Sequence, residues 1–185
     1  MNRYLISVLI VILVAGAAAV YFFSDYWQHR FDPLIGRQAS VYRLDERLVW
    51  SVIYEETWFR PWIIGSDEEV GLMQVTPLVA RDWARETGLR ELERQANENV
   101  VEFLQDPERN IQIGCWYLEK LREPYRGRRA ETAMMLAAYN AGASRVEEWK
   151  RDAGDLSETE FLGRISIPST RSYVTSILER YRQKE

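Results

Sequence analysis

An all-α domain preceded by an apolar N-terminal helix is the fold class this sequence predicts, and three observations predict it. Residues Tyr4 to Phe23 carry no charge and are dominated by Leu, Ile, Val and Ala, and about 20 such residues suffice to cross a bilayer as a helix. From Leu44 onward the apolar residues recur at helical spacing, and sustained strand alternation is missing. Helix-opening signals then punctuate the chain at Thr76-Pro77, Asp106-Pro107 and Pro168-Ser169. At most a short irregular or β-like excursion is expected, near Trp62 to Val70.

The N-terminal segment admits two readings. Ala15 to Ala19 offers small residues for signal-peptide cleavage. Against that, a signal core runs roughly 7–15 residues, whereas this apolar run continues through Val20, Tyr21, Phe22 and Phe23. A retained signal-anchor over residues 1–24 is therefore the favoured expectation. Tyr21, Tyr26 and Trp27 suit the aromatic belt at a membrane surface. Arg3 and the free amine precede the segment and Asp25 follows it, which predicts a short cytoplasmic N-terminus and an exported C-terminal domain. No Cys follows the run, so a lipoprotein anchor is excluded.

Residues 25–43 read as a connector. His29 to Tyr42 contains Asp32-Pro33 and Gly36 with no clear period, and it is expected to hold the domain off the membrane. The domain proper is placed at 44–183. Leu44, Leu48, Val49, Val52 and Ile53 form its first apolar stripe. Thr76-Pro77 opens a helix through Trp83, and Asp106-Pro107 opens one with Ile111, Cys115, Leu118 and Leu121 on one face. Ala130 to Tyr139 is a strongly apolar helix stopped by Asn140 and Gly142, and Ser144 to Trp149 a short one. The last helix runs from Pro168 through Tyr181, with Tyr173, Val174, Ile177, Leu178 and Tyr181 as its apolar face.

Composition narrows the chemistry. The 185 residues are 46% hydrophobic and 12% aromatic, with seven Trp and ten Tyr, which is ample for a core. Aromatic rings also pack against pyranose faces in sugar clefts, although core packing accounts for most of them. A net charge of −4 and no sustained basic stripe argue against nucleic acid as a partner. One His and one Cys leave zinc chemistry and a His-activated nucleophile without support. No cofactor and no metal is expected, so catalysis would rest on carboxylates, hydroxyls or lysines.

Two adjacent acids, Glu55 and Glu56, end the first stripe. Glu56 lies three residues after Ile53, four after Val52 and seven after Val49, hence on the apolar face. Glu55 is rotated from it by about 100°. Burial raises a carboxyl pKa by disfavouring the charged form, which suits a general acid. Pattern alone leaves a second reading open, in which both are solvated acids at a helix end.

Five blocks then occur in order. They are Glu56-Thr57-Trp58-Phe59-Arg60-Pro61; Gly71-Leu72-Met73-Gln74 with Pro77; Asn110-Ile111, Gly114 and Tyr117-Leu118; Ala138-Tyr139-Asn140-Ala141-Gly142; and Thr170-Arg171 with Tyr173-Val174. Together they resemble the catalytic domain of the soluble lytic transglycosylase family, over roughly Leu48 to Leu178. The resemblance implies a lysozyme-like helical fold acting on the glycan strands of bacterial peptidoglycan. It implies that Glu56 protonates the oxygen between N-acetylmuramic acid and N-acetylglucosamine, with the substrate's acetamido group stabilising the cationic centre. Glu56 would then deprotonate the muramyl C6 hydroxyl, closing a 1,6-anhydro ring without water.

The expected substrate-binding residues are Gln74, Tyr139, Asn140 and Tyr173, with Thr57 and Met73 beside them; packing is the plainer role for Met73. No second carboxylate is obvious: Asp67, Glu68 and Glu69 could line the cleft rim, but a solvated acidic loop is the preferred reading. Thr57 replaces the family's Ser, Ser66 is displaced by one position from the usual loop serine, Thr76 stands where Met is common, and Ser169 where Glu is usual. These departures touch subsites more than the central reaction. The N-terminal segment further gives the expectation of an inner-membrane, single-pass protein with its catalytic domain in the periplasm, or a secreted one after cleavage. A cell-envelope machine is a conceivable further partner. A lysozyme-type hydrolase and a silent wall-binding module are the alternatives.

Overall fold

The computed structural model describes residues 3–183, and every extended element among them is a helix. α1 (Arg3–His29) contains the apolar run. Its most apolar 18-residue window has a mean hydropathy of 2.4 with none of it buried, long and apolar enough to cross a membrane. The free amine and the Arg3 side chain, on which the topology expectation rests, lie outside what the structure describes.

The stretch expected to be an aperiodic connector is instead helical. α1 continues to His29, and after a turn at Arg30 and Phe31 the chain enters α2 (Asp32–Val41), with Pro33 in its first turn. α2 buries Ile35, Gln38 and Ala39 against α3 (Glu46–Thr57) and α7 (Pro107–Arg122). One of its three buried positions is polar and Gly36 interrupts the run, which is why no apolar period marks it in the sequence.

α3 starts at Asp45, whose carboxylate accepts from the Arg47 amide at 2.9 Å, and ends where Trp58 turns left-handed. Residues 58–76 form the expected irregular excursion, with two isolated antiparallel bridges, Ile64 to Val70 and Val70 to Val75. Thr76 and Asp106 cap α4 (Pro77–Thr87) and α7, each with Pro at the first helical position. Between them lie α5 (Arg90–Glu98) and α6 (Val100–Gln105), two short helices that bury only Ala96, Phe103 and Leu104.

α8 (Glu131–Ala141) buries every residue from Ala133 to Ala138, so it has no polar face along that stretch and must sit at the centre of the domain. α7, α9 (Ala143–Trp149), α10 (Glu158–Arg164) and α11 (Pro168–Gln183) pack around it, and α11 also packs on α3. This arrangement presents the ends of α3 and α8 and the start of α11 to one another.

Candidate active site

The site is assembled from the irregular 58–76 segment and the helix ends that face it. Two motifs interlock to hold the Gly71–Gln74 turn. Gly71 has φ +79°, and a Cβ there would come within 2.3 Å of the Asn110 side chain and 2.6 Å of the Leu104 carbonyl. Only glycine fits that position. The fully buried Asn110 donates its amide to the carbonyls of Val70 and Leu104, both at 2.8 Å, and accepts from the Met73 amide at 2.8 Å. One turn further along α7, Gly114 leaves the space that the Met73 thioether fills; a Cβ there would meet sulfur at 2.3 Å.

Thr57 ties the same turn to α3. Its hydroxyl, 1% exposed, donates to Leu72 O at 2.9 Å and also lies 3.4 Å from Ile53 O. The Ser-to-Thr departure keeps this bond. Thr57 and Met73, both expected at the substrate, are therefore sealed in the core, and their side chains shape the site from beneath it. Phe59 is fully buried, with its ring 5.0 Å from that of Trp50, and braces α3.

An open cleft lies above this platform, lined by Glu56, Glu69, Gln74, Tyr117, Tyr139 and Asn140 among others. Four of the expected residues thus meet in one cavity. Tyr173, 8% exposed, joins them by donating its hydroxyl to Glu56 Oε1 at 2.6 Å. The Tyr139 hydroxyl donates to Met73 O at 2.6 Å, and the Tyr139 ring lies 5.6 Å from that of Tyr117. Asn140 accepts at 2.7 Å from Thr170, which is itself buried, so the Thr-Arg pair that opens α11 fixes the end of α8. Gln74, at φ +47°, donates its amide to Gly71 O and Ile63 O, which leaves its oxygen for a ligand.

The electrostatics set Glu56 apart. Burial pushes its carboxyl up to about 7, the Tyr173 hydrogen bond pulls the other way, and the charges of Glu55 and Glu69 add to the rise. Among the described residues no cation pairs with it. Burial also raises Tyr139 and Tyr173 well above the ordinary phenol value, with the charge of Glu56 as the next cause, so both remain protonated donors. Glu55, one residue away, accepts from Ser176 at 2.7 Å and pairs with Arg180 at 3.0 Å.

Two further lining residues lay outside the expected site set. Glu69 is not part of a freely solvated loop: it lines the cleft with Glu56, and its Oε2 accepts from the Asp67 amide at 3.0 Å. Its place two residues before Gly71 was the available signal. Tyr117 was noticed only as part of a helix motif. Among the described residues no three of His, Cys, Asp and Glu gather as a metal site requires. Cys115 is buried, and burial raises its thiol out of the reactive range.

Comparison with known proteins bears on this geometry. Residues 33–162 match the model of the Transglycosylase SLT domain family. Membrane-bound lytic murein transglycosylase C of Histophilus somni (strain 2336) is 32% identical over 155 residues, covering 78% of this chain and 39% of that protein. The same-named protein of Yersinia pestis (strain Pestoides F) is 28% identical over 126 residues, covering 66% of this chain and 34% of its own length. The chain thus spans well under half the length of these relatives. Among solved structures, the 70 kDa soluble lytic transglycosylase of Escherichia coli superposes with a TM-score of 0.70 at 26% identity, covering 86% of this chain and 26% of that one. An inactive Glu-to-Gln mutant of the lytic transglycosylase Slt from Pseudomonas aeruginosa gives 0.70 at 26% identity, over 82% of this chain and 24% of that one.

Proposed function

We propose, from the premise that this chain belongs to the Transglycosylase SLT domain family, that it is a membrane-held lytic transglycosylase cutting peptidoglycan glycan strands with Glu56 as its one acid. The observation that carries the reading is the setting of Glu56: partly buried at a cleft, raised to about 7 and, among the described residues, unpaired by a cation and hydrogen-bonded by a single phenol. A carboxyl in that state is protonated over a useful range and sits where a leaving oxygen can reach it. The inactivity of the Pseudomonas relative as a Glu-to-Gln mutant supports a glutamic acid in this role.

The steps follow from the groups present. Glu56 gives its proton to the oxygen leaving between muramic acid and glucosamine. Tyr173 then meets the new carboxylate with a hydrogen bond to the charged form. Glu56 takes the proton of the muramyl C6 hydroxyl, and that oxygen closes on C1, so no water is consumed. Gln74, through its free oxygen, and Asn140 are placed to receive sugar hydroxyls or acetamido groups. The buried Thr57, Met73 and Asn110 keep the cleft floor in register with α3. Residues 1–24 act as anchor, and the exported part acts outside the cytoplasm.

One observation favours a second reading. Glu69 brings another carboxylate to the same cleft, and a lysozyme-type hydrolase uses two. Mass spectrometry of purified sacculi digested by the full chain decides: 1,6-anhydro ends support the lytic route, and reducing ends support hydrolysis through a Glu69-activated water. Digestion undiminished in Glu56→Gln would remove Glu56 from either scheme.

A further inference from the structure

The end of α1 is bolted to the loop that follows Glu56. The Trp27 indole donates to Trp58 O at 3.1 Å, and the Arg30 guanidinium donates to Phe59 O and, at 2.6 Å, to Trp27 O. These bonds hold the carbonyls of Trp58 and Phe59, both left-handed with φ 52° and 61°, a conformation that non-glycine residues disfavour. The Trp50 indole donates to Gln28 O at 3.2 Å, and the Trp27 and Trp62 rings meet edge to face at 5.8 Å. Residues 25–43 therefore form no free leash; they mount the domain on the helix.

Around this joint the surface is apolar. Trp58, Trp62 and Ile64 are 43%, 55% and 54% exposed, and they continue the aromatic face of α1 through the Phe23–Trp27 and Trp27–Trp62 ring contacts. Depth along α1 says what covers them. Trp27 lies four residues, about 6 Å, beyond Phe23, the last residue of the apolar run. The headgroup layer on each side of the hydrocarbon is about 5–7 Å thick. Trp62 touches Trp27, so it stands at headgroup depth, where Trp partitions best. Glu56 is two residues from Trp58, which bounds their Cα separation at about 7 Å.

We propose that Trp58, Trp62 and Ile64 form a lipid-seating collar that rests in the headgroup layer, so that the cleft works at a fixed height at the bilayer surface and takes glycan lying against the membrane. This rests on α1 being retained as the membrane span. It replaces a tethered domain free to search with a rigid one whose reach is set by its mount.

The test uses the full chain in phosphatidylethanolamine–phosphatidylglycerol vesicles, with a nitroxide on Ile64→Cys and, separately, on Trp62→Cys; the buried Cys115 stays unlabelled. Relaxation by oxygen is compared with relaxation by a water-soluble nickel chelate, on a depth scale set by labels at Val14→Cys and Tyr26→Cys on α1. The expected result is a depth at 64 and 62 close to that at 26, with nickel access cut at least threefold from a soluble nitroxide. Nickel access at both sites equal to that of the soluble nitroxide overturns the collar. So does protection that appears only when a second envelope protein is added. Water exposure at 14 refutes the span and the collar together. Sacculus digestion is scored separately: absent anhydro ends with the label at headgroup depth refute the proposed chemistry and support the seating.

Discussion

Glu55 and Glu56 share a peptide bond, yet the two sides of α3 treat them in opposite ways. Glu55 turns toward α11, where Arg180 and Ser176 donate to its carboxyl. Glu56 turns toward the cleft, where burial and two neighbouring acids oppose its charge and Tyr173 alone supports it. The difference shows how one helical step of about 100° separates a cation-paired acid from a buried one held by a phenol. On the proposed function, reactivity is made by what is withheld: a cation at Glu56 would stabilise the fold and abolish the proton donor.

The largest effect expected from breaking this asymmetry is in turnover. Glu56→Gln keeps shape and hydrogen bonding but has no proton to give, and removal of a general acid costs on the order of 10³-fold. Glu55→Gln is expected to stay within about threefold of wild type. Release of soluble muropeptides from sacculi, followed by mass spectrometry, checks both. Equal losses in the two variants would dissolve the distinction.

The same substitution tests the electrostatics without substrate. The folded carboxyl of Glu56 lies at about 7 and its ordinary value is near 4.5. Between those values the folded state holds a proton that the unfolded chain has released, so wild-type stability falls as pH rises from about 4.5 to about 7 and levels off above. Glu56→Gln escapes that loss. It is expected to be more stable than wild type at pH 8 by up to about 3 kcal/mol, with the gap closing by pH 4. Urea unfolding at the two pH values measures it.

How much of this was legible in the sequence follows from the range of each interaction. That Glu56 rather than Glu55 lies on the buried, cleft-facing side of α3 was legible, because a helical stripe is a local pattern and Val49, Val52 and Ile53 lie within two turns of it. The caps Asp45, Thr76 and Asp106 act within three residues; Thr76 and Asp106 were read as such. The pairing of Glu55 with Arg180 spans 125 residues and leaves no local mark. α2, α5 and α6 were invisible because each buries only one to three side chains and takes its stability from packing rather than periodicity. Gly71 and Gly114 were matched as motif letters; their reason, the room they leave for Asn110 and Met73, exists only once α7 lies against the turn.

Tyr173→Phe sharpens the comparison by removing the one group that favours the Glu56 anion. Two effects are expected. The pKa of Glu56 moves further up, so activity persists to higher pH. The carboxylate formed after proton transfer loses its donor, which lowers kcat by about tenfold, the worth of one hydrogen bond to a charged group. A pH profile of sacculus digestion separates the two, since a merely loosened fold would lower activity without moving the alkaline limb.

The smallest effect comes from Glu69, and it asks whether the acid is tuned from across the cleft. The groups facing Glu56 are Tyr173 from α11, Tyr139 from α8, Glu55 on its own helix and Glu69 from the irregular segment. Of these, Glu69 is the one lining residue whose negative charge can be neutralised without disturbing a helix. Glu69→Gln removes repulsion that favours the protonated form, so the Glu56 pKa drops and the alkaline limb moves to lower pH by a fraction of a unit. The shift should shrink in high salt, because a cleft open to solvent is screened. A Glu69→Gln enzyme that keeps its rate and anhydro products with only this displaced limb would make Glu69 an electrostatic neighbour. One that loses turnover at every pH would make it a second catalytic carboxylate, and the asymmetry between the two faces of α3 would then have to be extended across the cleft.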